Sequence, residues 1–359
     1  MVTTVDTTVA VLATQAVGTY LERAEGYEKA VLKDRDPENL HQMRVNLRRL
    51  RTVMQVFAPG IQLPRQGQEA RVAQVARRLG KLRDLDVMLL ALQDRYAPDL
   101  PDAERKYLKT VFKYLRKQRR QAFKQAKREL RGDRYRQLKK SLHRWIKNPH
   151  CTLTARLSIE LLLPDLTLPV VSELWLQPGW LVGTQFATSS ITPQTNLQSP
   201  EVDALVLEHD ERLHDLRKQV KRVRYQLRTV ADFYGDRLQP TIEQLATLQD
   251  TLGDLQDSLV LESHLQKALS RWESRLPTLR SLLADSRYAA WQQWQTLQQH
   301  FLDTHHREAL RQILQTPAMK RHPESATVKQ AEPPAVEQTV TSTVSDTTPN
   351  STHSASQVS

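Results

Sequence analysis

Two segments carry the residues best suited to chemistry. His41 to Arg51 reads HQMRVNLRRLR, and His214 to Arg224 reads HDLRKQVKRVR. In each, basic residues follow the histidine at +3, +7, +8 and +10. These are Arg44, Arg48, Arg49 and Arg51, then Arg217, Lys221, Arg222 and Arg224. At about 100° per residue on a helix, positions 0, +3, +7 and +10 share one side. His41, Arg44, Arg48 and Arg51 form one polar stripe, and His214, Arg217, Lys221 and Arg224 form another. A row of cations headed by a histidine suits an extended anion. Guanidinium groups offer a planar fork to phosphate oxygens, and an ammonium offers a point charge. Lys218 and Tyr225 fall within the second stripe's arc and are further candidates. Arg49 and Arg222 point about 80° away and are expected to matter less.

A second pair of segments repeats in the same register. Leu79, Gly80, Leu82 and Asp84 map onto Leu252, Gly253, Leu255 and Asp257 with the offset of 173 that relates the two histidines. A shared register over two motifs implies a duplicated unit, and the period is too long for a solenoid. Glycine inside a helical pattern costs about 1 kcal/mol against alanine, so its recurrence implies close helix approach. Asp84 and Asp257 are expected to pair with arginines of a neighbouring helix and orient them. Asp84 with Asp86 also admits a Mg²⁺ reading. For His41 and His214, metal ligation is the weaker reading. Each helix has one histidine without an acid at +3 or +4 on its face, and the arginines would repel a cation. Donation to phosphate and a structural role remain.

The segment after Pro101 adds a third basic face. Lys113, Arg116, Lys117, Arg120, Lys124 and Lys127 fall near one line of a helical projection, continued by Arg128 and Arg131. Leu108, Val111, Leu115, Ala122 and Ala126 lie opposite. Like charges at i, i+4 repel by a few tenths of a kcal/mol each. The stripe therefore favours a polyanion or facing acids, although a plain solvated face is the simpler reading.

These stripes need long helices, and the sequence supplies them. The chain of 359 residues is rich in Leu, Gln, Arg, Lys and Ala, holds only 10 glycines, and shows no run of alternating β-branched residues. The fold class expected is all-α, with helices at about 4–33, 37–57, 65–95, 102–131 and 133–147 in a first half spanning about 4–148. Asp36-Pro37 marks a helix start. A Pro-rich connector follows at 149–200, apolar enough to pack but unplaced. The second half, about 201–315, has a helix carrying His214, one carrying Gly253, and a last helical region from Pro277 to about Leu314. Trp145, Trp272, Trp291 and Trp294 read as core or interhelical packing. Residues 318–359 are expected to be a disordered tail.

The net charge of +12 points to polyanionic partners. Cys151 is the single cysteine, so no internal disulfide or cysteine-based zinc site is possible. The N-terminus lacks the basic region of a signal peptide, and no apolar stretch is long enough to span a membrane, which fits a cytoplasmic location. No Walker loop, dinucleotide fingerprint, HExxH motif or nucleophile–base set stands out, so neither catalytic residues nor a cofactor are expected.

The two motif pairs, HQMRVNLRRLR with RLGKLRDLDVM and LHDLRKQVKRVRYQL with LQDTLGDLQD, resemble the two halves of a CHAD domain, over roughly residues 5–315. The resemblance implies two similar antiparallel helical bundles related by pseudo-two-fold symmetry, with a basic cavity between them. It also implies binding of inorganic polyphosphate, and recruitment to polyphosphate granules in some members. Residues His41, Arg44, Arg48, Arg51, His214, Arg217, Lys221 and Arg224 would line that surface. Gln256 stands where the family more usually has asparagine, and the triphosphatase domain attached in some relatives is absent. Two rival functions follow from the same residues: a nucleic-acid-binding basic protein and a metal-dependent phosphohydrolase.

Overall fold

The first half is a chain of antiparallel helices that brings its two motifs side by side. In a computed structural model that describes residues 7–186 and 191–318, it opens with α1 (Val9–Gly26) and α2 (Glu28–Lys33). The single helix expected over 4–33 is thus two. The first begins at its Thr8 cap, the chain breaks at Tyr27, and Asp34 in a left-handed conformation (φ 52°) ends the second. Next comes α3 (Pro37–Val56), which carries the first histidine motif. Its start is the expected one: Asp36 accepts the Glu38 amide at 2.8 Å and Pro37 takes the first turn. The Gly80 motif sits on α4 (Glu69–Ala91), which runs into a π-turn at Leu92–Tyr96. The basic helix α5 (Asp102–Arg131) and α6 (Asp133–Lys147) end the half. Packing pairs α1 with α3, α3 with α4, and α4 with α5.

The connector is not a loop. Residues Ile159–Trp175 form α7, which packs on the second half although Pro164 and Pro169 lie inside it. Its register is held by polar side chains: Gln219 donates to Val170 O and Glu173, and Arg222 pairs with Glu173 at 2.7 Å. Downstream, the Trp180 ring stacks on Trp294 and Phe301. Gln298 donates to the carbonyls of Trp180 and Val182 at 2.7 and 2.9 Å. A short hairpin of β1 (Thr184–Phe186) and β2 (Ile191–Pro193) follows, paired antiparallel with Gln185 opposite Thr192. Prolines obscured the helix in the sequence, but burial of its apolar side chains offsets their cost.

The second half repeats the helical order. It holds α8 (Ser199–Glu208), α9 (Asp210–Val230) with the second histidine motif, and α10 (Gln239–Ala268) with the Gly253 motif. A short α11 (Trp272–Arg275) precedes α12 (Pro277–Leu302) and α13 (Thr304–Gln315). The single last region expected from Pro277 is divided at Asp303, whose side chain caps α13 by accepting the His306 amide. One hydrophobic core runs from Val9 to Leu314 through both halves and includes Trp145, Trp272, Trp291 and Trp294. The halves belong to a single unit. Residues from 319 on, the greater part of the expected tail, lie outside the described residues. No helix among those described is long and apolar enough to cross a membrane.

Candidate anion-binding site

Helices α3 and α9 pack directly on each other, so the two histidine motifs meet. The apolar sides of both helices decide this orientation. Met43, Leu47 and Leu50 of α3, like Leu216, Val220 and Val223 of α9, are buried in the shared core. The stripes are left along the seam between the helices. Its centre is a contact across the halves: the Arg48 guanidinium lies 4.2 Å from the centroid of the Tyr225 ring, and Arg224 lies 5.5 Å from the same ring. Tyr225 is therefore a platform for a cation from each half.

Each half then builds the same device. In the first, Arg44 lies across Gly80 and reaches Asp84, at 3.9 Å. In the second, Arg217 lies across Gly253 and reaches Asp257, at 3.2 Å. A Cβ at Gly80 would collide with Arg44 Nη1, and one at Gly253 would stand 2.6 Å from Arg217 Nη2. The glycines do answer a close approach, but of a guanidinium rather than a helix backbone. Asp84 and Asp257 are still 70 % and 65 % exposed, so the seam is open to solvent where the carboxylates stand.

Electrostatics make this a strained place in the free protein. Burial pushes Arg44 and Arg48 below the usual guanidinium value; neighbouring cations add to this, while Asp84 and Tyr225 pull them back. Both stay charged near neutrality. Lys221 is pushed down to about 8, first by burial and then by Arg217 and Arg48, against the pull of Asp257 and Asp84. Residues of both halves thus act on one ammonium. Among the described residues, the guanidinium Nε atoms of Arg48, Arg217 and Arg224 in the seam are buried with no hydrogen-bond partner. Buried donors without partners are uncommon, and charged ones are costly.

The histidines head the rows in unlike surroundings. Burial lowers the His41 imidazole; Glu38 opposes this, and Arg83, Arg48 and Arg44 lower it further. His214 Nδ1 meets Gln256 Oε1, which can only accept, so Nδ1 carries the proton. The Gln256 amide is fixed by its donation to Asp210 at 3.3 Å. In the neutral ring Nε2 is then an acceptor, and it can donate to an anion only after protonation. Arg83 and Gln256 do not emerge as site residues from the repeated motifs. They are equivalent under the offset of 173 and each sits beside its half's histidine, but their types differ, so a search for repeated residue types passes over them.

The remaining candidates are placed differently. Arg51 is ion-paired with Glu69 at 2.6 Å, whereas its counterpart Arg224 donates to the neutral Gln249 at 3.3 Å. Lys218 is exposed and pairs with Asp215 at 2.5 Å. Arg49 lies toward Tyr20 on α1, and Arg222 pairs with α7, so both point off the seam. Asp86 takes Arg119 at 2.6 Å, the same arginine that forks onto Asp34. This is arginine pairing rather than the geometry of a Mg²⁺ site. Among the described residues no three His, Cys, Asp or Glu side chains group as a metal site. Lys113, Arg116, Lys117, Arg120, Lys124 and Lys127 are not gathered with the two stripes. They face outward on α5, whose main packing partners are α4, α6 and α10.

Fold and seam together define an all-α protein with a duplicated cationic helix pair. A family model described as the CHAD domain matches residues 15–266, and the chain belongs to the CHAD domain family. Among solved structures, the CHAD domain from the plant Ricinus communis is similar, with 22% identity and a TM-score of 0.52. The match covers 89% of this chain and 94% of that one. PptA from Streptomyces chartreusis is also similar, with 15% identity, a TM-score of 0.59, and coverage of 82% and 100%. At these identities the likeness is one of fold. No curated protein matches the chain.

Proposed function

We propose that the α3–α9 seam binds inorganic polyphosphate, and that the protein acts by binding rather than by turnover. The observation that carries this reading is the set of buried, unpartnered guanidinium Nε atoms contributed by Arg48, Arg217 and Arg224 from both halves. A linear anion with charge on every unit offsets the cost of holding these guanidinium groups, with Lys221, so close together along one seam. Membership of the CHAD family supports phosphate polymer over other anions. The carboxylates of the seam, Asp84 and Asp257, hold arginines, which suits a positioning role better than one as base or metal ligand. On this reading the protein travels with polyphosphate granules in the cytoplasm.

The test compares two double variants. Arg44→Ala with Arg217→Ala is expected to weaken polyphosphate binding at least tenfold more than Arg49→Ala with Arg222→Ala, because a guanidinium–phosphate hydrogen bond in the seam is worth on the order of 1 kcal/mol or more. Titration calorimetry at one salt concentration reads the difference. Equal weakening by the two variants would sink the seam as the binding place. A nucleic-acid function would appear instead if long-chain polyphosphate failed to displace bound RNA or DNA at physiological salt.

A further inference from the structure

Between Arg105 and Arg128 the sequence has no aspartate or glutamate. The helix built from it, α5, buries Leu108, Val111, Leu115, Ala122 and Ala126 on one side. On the other side Lys113, Arg116, Lys117, Arg120 and Lys124 are exposed and Lys127 is half-buried. The ion pairs of α5 are made elsewhere, by Arg105 with Asp102 and by Arg119 with Asp34 and Asp86. Among the described residues none of the six outward cations pairs with a carboxylate. Two are steadied by rings instead: Arg116 lies 5.4 Å from the Phe112 centroid, and Lys127 lies 6.0 Å from that of Phe123. From Lys113 to Lys127 the row is about 21 Å long at 1.5 Å per residue.

The helix that carries the row is anchored near the His41 end of the seam through Arg119, which is not part of the row. Arg119 sends Nε to Asp86 at 2.6 Å and forks onto Asp34 at 2.7 Å through both terminal nitrogens. Asp34 ends α2, just before the Asp36 cap of the helix that His41 heads. Arg83 lies within electrostatic range of both His41 and Asp86. Arg116 and Arg120 flank Arg119 on α5. Arg119 thus fixes α5 against the elements around His41, while its outward row lies outside the seam.

We propose that α5 is an outer track for long phosphate polymers, so that the protein discriminates polyphosphate by length. Short chains fill the seam; longer ones leave it at the His41 end and run along Lys113, Arg116, Lys117, Arg120, Lys124 and Lys127. The proposal rests on the polyphosphate reading of the seam. It explains why repelling i, i+4 neighbours such as Lys113 and Lys117, or Arg120 and Lys124, are tolerated without acids between them. The rings on this face lie beside cations, not open for stacking, which favours a phosphate polymer over single-stranded nucleic acid.

The experiment uses the full chain with Lys113→Gln, Lys117→Gln and Lys124→Gln combined. These are exposed positions, and circular dichroism checks that the fold is kept. Affinity is measured for tripolyphosphate and for long-chain polyphosphate over a salt series, beside wild type and the Arg44→Ala, Arg217→Ala variant. The triple variant is expected to bind long chains about tenfold more weakly and tripolyphosphate almost as well as wild type does. The salt slope for long chains should fall by about 2, as expected when three lysines no longer neutralise phosphates. The seam variant should weaken both ligands. Unchanged long-chain affinity and slope in the triple variant would overturn the track and leave the seam reading standing. Wild type that binds neither ligand would remove both. A triple variant that no longer bound single-stranded RNA but kept long polyphosphate would give the track to nucleic acid and refute the proposal.

Discussion

Gly80 and Gly253 show how one missing methyl group positions a charge. Each lies under a guanidinium that its half aims at an aspartate. The atoms a new Cβ would meet are the far ends of flexible side chains, so the fold can accommodate alanine by moving the arginine. Alanine is also the better helix former by about 1 kcal/mol. Gly80→Ala with Gly253→Ala should therefore keep or raise the Tm while weakening polyphosphate binding by about tenfold or more, since two guanidinium groups whose hydrogen bonds are worth on the order of 1 kcal/mol each are displaced. A fall in Tm with unchanged affinity would mean that the glycines serve packing alone. Lys221 has the opposite balance. Its value in the folded protein is about 8, below the ordinary 10.5. A base depressed on folding costs stability wherever it is charged, fully below pH 8, and the cost is relieved as pH rises from 8 to 10.5. Lys221→Met should stabilise the free protein by roughly 1–3 kcal/mol at pH 7, with the gain shrinking toward pH 10, and should weaken anion binding. Because a bound anion pulls the ammonium back up, wild-type affinity should decline as pH rises through about 8. Denaturant melts and binding titrations at pH 7 and pH 9.5 check both signs.

Helices set what each residue can reach. Positions 0, +3, +7 and +10 make a stripe on α3 and α9 because both run unbroken through their motifs, α3 from a Pro-initiated, Asp36-capped start. The same geometry turns Arg49 and Arg222 away, toward Tyr20 and Glu173. Between the halves, α5 and α12 are tied by one buried acid. Glu104 is 5 % exposed and accepts the amides of Thr278 and Leu279, at 3.0 and 3.3 Å, in the first turn of α12. A carboxylate at a helix N-terminus satisfies orphan donors and meets the positive end of the dipole. Glu104→Ala should cost about 2–3 kcal/mol, since it leaves one buried and one half-buried N–H group unmet. If urea unfolding showed less than about 0.5 kcal/mol, water would be serving those amides equally well. The stripes were legible because they depend on position within a single helix. The helix α7 was not, because Pro164 and Pro169 read as breaks and only its burial against α9 and α13 shows why they are tolerated.

For the whole molecule, charge complementarity should appear as salt dependence. If the seam engages about five phosphates, the logarithm of affinity should fall with the logarithm of salt at a slope near −4, by analogy with other phosphate polymers. A slope near zero would be incompatible with charge-led binding. The all-α class, the duplication and the two cationic rows follow from the sequence, since propensity, spacing and register are local properties that a chain carries before it folds. That Arg48 of one half lies on Tyr225 of the other, that Arg51 is taken up by Glu69 while Arg224 is not, and that α5 faces away from the seam could not be read there. Those outcomes depend on how whole helices rotate and pack to bury their apolar faces together, a choice made among residues far apart in the chain.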